Sequence, residues 1–169
     1  MPATQPRRLL IMRHAKSDWA TGIEDYDRPL NDRGQRDVPL VARFLAGSAP
    51  PELVLASAAR RARETADLLV EALFVPPELI LEEQLYLAPP ETLAAVLSAA
   101  GDGVKTVVVV AHNPGVEEWA SRLCGAAIHM PPGAVACLES DADRWADTTH
   151  AASILRWHIT PKLLKKATP

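Results

Sequence analysis

Leu9-Leu10-Ile11-Met12-Arg13-His14 is the stretch on which the fold turns. Four consecutive apolar side chains followed at once by an arginine and a histidine describe a strand buried on both faces that ends in a polar pair. The same grammar recurs in Thr106-Val107-Val108-Val109-Val110-Ala111-His112 and, more briefly, in Leu53-Val54-Leu55-Ala56-Ser57. Between these runs, apolar residues recur at helical spacing. Asn31 reads as the cap of a helix carrying Val38, Val41, Ala42 and Leu45, and Pro39 within it predicts a kink or a late start. Ser57 reads as the N-cap of a helix over about 58–73. Pro89-Pro90 opens a third helix with Leu93, Val96 and Leu97. Asn113-Pro114 reads as a cap with proline in the first helical position, leading a helix through Trp119. Leu79-Ile80-Leu81 is a short strand, and 134–138 with 153–159 form a closing hairpin. Strands alternating with helices predict an α/β fold of three layers, with a mostly parallel central sheet flanked by helices.

The bulk numbers suit one domain of 169 residues, with 1–7 and 161–169 as peripheral tails. Lys162 to Lys166 reads as a solvated tail. A formal net charge of −3 gives no overall pull toward nucleic acid or an anionic membrane. No apolar run approaches membrane-spanning length, and Met1 to Arg8 holds no leader-type apolar stretch, so the chain is expected in the cytoplasm. Cys124 and Cys137 lack metal-type or redox-type spacing and are read as free thiols. Five histidines and two cysteines show no recognised zinc spacing, so no metal or other cofactor is expected. His129, His150 and His158 match no motif and are assigned surface or packing roles. Any anion site must come from local clustering of arginine and histidine.

Ligands of open α/β sheets bind beyond the carboxyl ends of the strands. Three polar groups stand at such ends: Arg13-His14, Ser57 to Arg61, and His112. A parallel sheet would bring them to one rim, where two imidazoles and two guanidiniums would suit a compact dianion. Arg61 stands out from its neighbours. Arg60 can pair with Glu64 and Arg63 with Asp67, each four residues on, whereas Arg61 meets Thr65 at that position. It also lies in a first helical turn, where the dipole favours anions.

Arg13-His14-Ala15-Lys16-Ser17-Asp18-Trp19 resembles the N-terminal signature of the histidine phosphatase superfamily, whose fold is phosphoglycerate mutase-like. Arg28-Pro29-Leu30-Asn31-Asp32-Arg33-Gly34 resembles the family's next landmark. The stretch from Ser57 to Thr65 is similar to its S-x-x-x-R-A-x-x-T pattern, and Val107 to Pro114 to the strand bearing its second histidine. The short chain and Lys16-Ser17-Asp18-Trp19 resemble the SixA-type phosphohistidine phosphatases.

The resemblance implies that His14 attacks phosphorus and becomes a phosphohistidine that water then hydrolyses. Arg13, Arg61 and His112 would hold the phosphoryl oxygens, with added donors from Asn113 and Ser17. Lys16, Arg28 and Trp19 would form the substrate rim. A hydrogen bond from the second ring nitrogen of His14 to backbone would fix its tautomer. Ester-cleaving members of the superfamily usually carry an acid after the third strand, but Gln84-Leu85-Tyr86-Leu87-Ala88 has no carboxylate. Asp18, Glu24 or Glu83 would have to substitute. Without such an acid an alkoxide leaves poorly, by ~100-fold or more, whereas a P–N bond is labile. The expected substrate is therefore phosphohistidine in a protein partner, such as a histidine phosphotransfer domain, or a small phosphorylated molecule. The alternatives are a small-molecule phosphomonoesterase or mutase, and a non-catalytic phosphate- or phosphoprotein-binding module.

Overall fold

The computed structural model describes residues 5–20, 22–148 and 153–167. Six strands form one mixed sheet in the order β3-β2-β4-β1-β5-β6: β1 Arg7–Arg13, β2 Leu53–Ser57, β3 Glu78–Glu82, β4 Thr106–Ala111, β5 Val135–Ser140 and β6 Ile154–Ile159. The first four run parallel to one another, while β5 is antiparallel to both β1 and β6. The sheet is thus mixed through β5, which opposes the others, since β6 on its far side points the same way as β1.

Period-two alternation divides the strand side chains between two cores. Leu10, Met12, Val108 and Val110 pack with Val38, Val41 and Leu45 of α1 (Asp32–Ser48) and Ala62, Ala66 and Leu69 of α2 (Arg60–Ala72). Leu9, Ile11, Val107 and Val109 pack with Leu93 and Leu97 of α3 (Pro90–Ser98) and Val116 and Trp119 of α4 (Gly115–Cys124). With both faces covered, the central strands can be apolar at every position.

Several local expectations need correction. α1 does not begin late: Asn31 caps it by accepting from the Gly34 N–H at 2.9 Å, and the helix runs through Pro39. Ser57 does not cap α2, whose N-cap residue is Ala59. α4 starts at Gly115 with Pro114 as cap, one residue later than expected. A Cβ at Gly115 would lie 1.9 Å from the Ala88 carbonyl oxygen, so this close approach requires glycine.

The described residues of the two terminal stretches, 5–7 and 161–167, make contacts of their own. Arg7 is buried in β1, where its guanidinium donates to the carbonyls of Val104, Asp102 and Asp143 and lies over the Trp145 ring. Pro161–Ala167 forms a fifth helix, α5, against α1, with Leu164 packed on the core and Lys165 paired with Asp37. Leu164 and the Lys165–Asp37 pair seat this helix, while Leu163 is exposed. Cys124 and Cys137 are free. Among the described residues no helix is long and apolar enough to cross a membrane.

Candidate active site

Strand register builds the floor of the site. Arg13 lies opposite Ala111 in the β1–β4 ladder, and Ala56 lies opposite Val110 in the β2–β4 ladder. The residues that follow these positions, His14, His112 and Ser57, therefore emerge side by side at one end of the sheet. The His14 and His112 rings are 5.1 Å apart between centroids, and both residues are buried. α2 supplies Arg61 through its buried stripe of Arg61, Ala62, Thr65, Ala66 and Leu69. Arg60, next to it, turns outward and pairs with Glu64.

The two imidazoles are held differently. The Nδ1 of His14 is 2.8 Å from the Ala15 carbonyl oxygen, which can only accept, so Nδ1 carries the hydrogen. Its Nε2 is then a lone pair, and it accepts from Arg61 Nε–H at 3.2 Å. Burial, reinforced by His112, Arg61 and Arg13 against the Ala15 bond, pushes the ring pKa down to about 3. His112 meets the Ser57 hydroxyl through Nε2 at 2.8 Å, while its buried Nδ1 has no hydrogen-bond partner among the described residues. Burial and then the Arg61 charge push His112 down to about 3 as well. At neutral pH the floor holds two uncharged imidazoles beside cations.

Arg13 leans away from the strand and donates from Nη1 to the Met130 carbonyl at 3.0 Å. That tie exists because the chain entering β5 passes the same rim, where Gly133 N–H donates to the carbonyls of Arg13 and His14. Asn113 reaches Met130 as well, through Nδ2 at 3.1 Å.

The mouth is built by the loop between β1 and α1. Arg28, buried, donates to Asp25 Oδ1 and, from Nη1, to the Ser17 hydroxyl. Trp19, 70% exposed, stacks on the Arg28 guanidinium at 3.6 Å. Asp25 is the hub. Its carboxylate and carbonyl also take Arg61 Nη2 and Nη1 at 3.0 and 2.5 Å, and it accepts from the Tyr86 hydroxyl at 2.7 Å. Partial burial opposes its charge, but the bonds from Tyr86 and Arg28 and the nearby Arg61 prevail and bring its pKa down to about 2. The cavity enclosed by floor and mouth is about 230 Å3, smaller than a drug-sized pocket and suited to a compact group.

The model of the histidine phosphatase superfamily (branch 1) matches residues 9–85. A SixA-type protein from Nakamurella multipartitia superposes with a TM-score of 0.84 at 26% identity, covering 94% of this chain and 98% of that one. The structure of the protein histidine phosphatase SixA complexed with tungstate superposes with a TM-score of 0.79 at 25% identity, over 93% and 99% of the two chains. An uncharacterised Mycobacterium tuberculosis protein is 35% identical over 161 residues, 88% of this chain and 99% of that protein.

The chain belongs to the histidine phosphatase superfamily. It is SixA-like in fold and a phosphatase of the kind that works through a histidine intermediate.

Within this histidine phosphatase the nine residues singled out from sequence all line one cavity: Arg13, His14, Arg61 and His112 with Asn113, Ser17, Lys16, Arg28 and Trp19. Three details differ. Arg61 is not without a charge partner, since Asp25 pairs with it from a distant loop. Ser17 accepts from Arg28, a contact the spacing did not suggest, and keeps its own hydrogen to donate. Of the carboxylates proposed to replace the missing acid, Asp18 accepts from Ala20 N–H and Glu83 from the Tyr26 hydroxyl, Glu24 is exposed, and none lines the cavity. Asp25 does, and sequence reasoning missed it; its spacing three residues before Arg28 was the available signal. Ser57, read from sequence as a helix cap at a polar strand end, was given no contact with His112, which it meets at 2.8 Å. His129 is exposed beside Glu117, His158 is partly buried in β6, and His150 lies outside the described residues. Among the described residues no group of three histidine, cysteine or acidic side chains is placed to hold a metal ion.

Proposed function

We propose that this protein removes phosphoryl groups from phosphohistidine in a protein partner, with His14 as nucleophile. The observation that carries the reading is the bonding of His14. With Nδ1–H committed to the Ala15 carbonyl, Nε2 keeps an uncharged lone pair, which accepts from Arg61 Nε–H here and is freed for attack as Arg61 turns its donors to the phosphoryl oxygens. As Nε2 bonds to phosphorus, the P–N bond of the substrate breaks and its electron pair stays on the departing nitrogen. Water then attacks the phosphorylated His14, releasing phosphate and restoring the lone pair. Arg13, Arg61 and the His112 Nδ1–H meet the equatorial oxygens, where charge spreads during transfer. Asn113 and Ser17 border this cradle, and Lys16, Arg28 and Trp19 meet whatever carries the phosphoryl group.

Asp25 supports the choice of a phosphoramidate. It is the carboxylate lining the cavity, and Arg28, Arg61 and Tyr86 keep it ionised far below neutral pH. An ionised carboxylate has no proton to give an alkoxide. A histidine leaving group protonated on its distal nitrogen brings its own proton and departs as neutral imidazole. The partner that fits is a phosphorylated protein such as a histidine phosphotransfer domain. We take the setting to be the cytoplasm, in keeping with two cysteines left unpaired. The test is turnover of a phosphohistidine peptide, a phosphoserine peptide and small phosphate esters by wild type and His14→Ala. Preference for the phosphohistidine peptide, lost in the variant, is expected. Preference for esters would overturn the substrate, and activity surviving in the variant would overturn the nucleophile.

A further inference from the structure

His112 presents a bonding problem that the catalytic reading leaves open. Its ring is buried, one nitrogen touches Ser57 Oγ at 2.8 Å, and the other, Nδ1, is buried without a hydrogen-bond partner among the described residues. A neutral imidazole carries one hydrogen, and which nitrogen holds it decides whether the cavity receives a donor or a lone pair. A lone pair would repel phosphoryl oxygens. A donor would hold one.

Ser57 resolves the choice. It is wholly buried at the end of β2, and its oxygen already accepts from the Ala59 N–H at 3.3 Å. Its hydroxyl hydrogen needs an acceptor, and His112 Nε2 is the partner within reach among the described residues. If Nε2 carried the hydrogen instead, the serine hydrogen would be buried unpaired, an arrangement that native interiors avoid. Burial first, and then the charges of Arg61, Arg13 and Arg28 against that of Asp25, disfavour a second ring proton at neutral pH.

We propose that Ser57 is a positioning residue that fixes His112 as its Nδ1–H tautomer, so that a hydrogen-bond donor is aimed at a phosphoryl oxygen before substrate arrives. This rests on the reading of the cavity as a phosphoryl site. It makes the two histidines opposites: a backbone carbonyl leaves His14 a lone pair, and a serine hydroxyl leaves His112 a hydrogen. Three strand ends then share the work, β1 with the nucleophile, β4 with the donor and β2 with the group that sets the donor.

The test is a long-range 1H–15N spectrum of the 15N-labelled protein at neutral pH, with tungstate as the oxyanion probe. For wild type, His112 should show a pyrrole-type Nδ1 and a pyridine-type Nε2. In Ser57→Ala that pattern should be lost, and tungstate affinity and kcat should each fall roughly 100-fold, the scale of losing one preorganised donor. Ser57→Thr keeps the hydroxyl and should restore both the spectrum and most of the activity. A pyridine-type Nδ1 in wild type would overturn the proposal, and so would a Ser57→Ala protein with unchanged spectrum and affinity. Wild type that fails to bind tungstate would instead defeat the phosphoryl reading, while the tautomer spectrum still decides the role of Ser57.

Discussion

The floor and the mouth of this cavity are held by different forces. On the floor, His14, His112 and Ser57 follow directly from three neighbouring strands, so ladder register sets their spacing. At the mouth, Asp25, Arg28 and Trp19 belong to a loop whose shape depends on side-chain ion pairs and on Tyr86 reaching across from the far side. Backbone ladders are cooperative with the whole core, whereas a half-exposed ion pair is worth little by itself and weakens with salt. The difference teaches where tolerance lies. On the function proposed above, chemistry belongs to the part that cannot shift without unfolding, and substrate choice to the part that can.

The largest effect should come from the floor. His14→Ala removes the attacking atom, and kcat should fall roughly 10^4-fold or more, measured on any substrate the wild type turns over. Arg61→Lys comes next. It keeps the charge but loses the fork that spans His14 and Asp25, and a drop of about 100-fold in kcat/KM is expected. At the mouth, Asp25→Asn should lower kcat/KM about 10-fold through loosened Arg28 and Arg61, at the scale of one or two charge-assisted bonds. That loss should be similar for phosphoramidates and for aryl phosphates. A selective loss of ester cleavage would mean that Asp25 donates a proton, and the comparison between floor and mouth would fail. Trp19→Ala should be the mildest change, raising KM for a protein substrate a few-fold with kcat unchanged, since an exposed cation–π contact is worth about 0.5–1 kcal/mol.

pH separates the two regions in another way. Both floor histidines are pushed to about 3 in the folded chain, below the ordinary value of 6.5. Between those values the unfolded chain binds more protons, so stability is full above pH 6.5 and is lost as pH falls toward 3. The limiting slope is about 1.4 kcal/mol per pH unit for each histidine. Denaturant melts from pH 4 to 7 should show this slope, and a His14→Asn/His112→Asn protein should show a flatter one.

The floor was legible in the sequence because its signals are local. Apolar runs ending in Arg13-His14 and His112 mark buried strands, and parallel strands align their ends. The inward turn of Arg61 was signalled by Thr65 standing where its neighbour Arg60 finds Glu64. The mouth was not legible because its partners are distant in sequence: Asp25 meets Arg61 across 36 residues and Tyr86 across 61. Ser57 shows the same limit at closer range. A serine before a helix reads as a cap, and only its placement beside His112 reveals the other use of its hydroxyl. Lys162 to Lys166, three lysines around two leucines, looks solvated until α1 is there to receive Leu164.

The central claim is that a phosphoryl group passes through one nitrogen of His14. Rapid quenching during turnover of a small phosphoramidate, followed by peptide mass spectrometry, tests it directly. The expected product is a single phosphoryl group on His14, lost in acid, stable in base, and absent from His14→Ala. A phosphorylated residue elsewhere, or full turnover with no label on His14, would contradict the account.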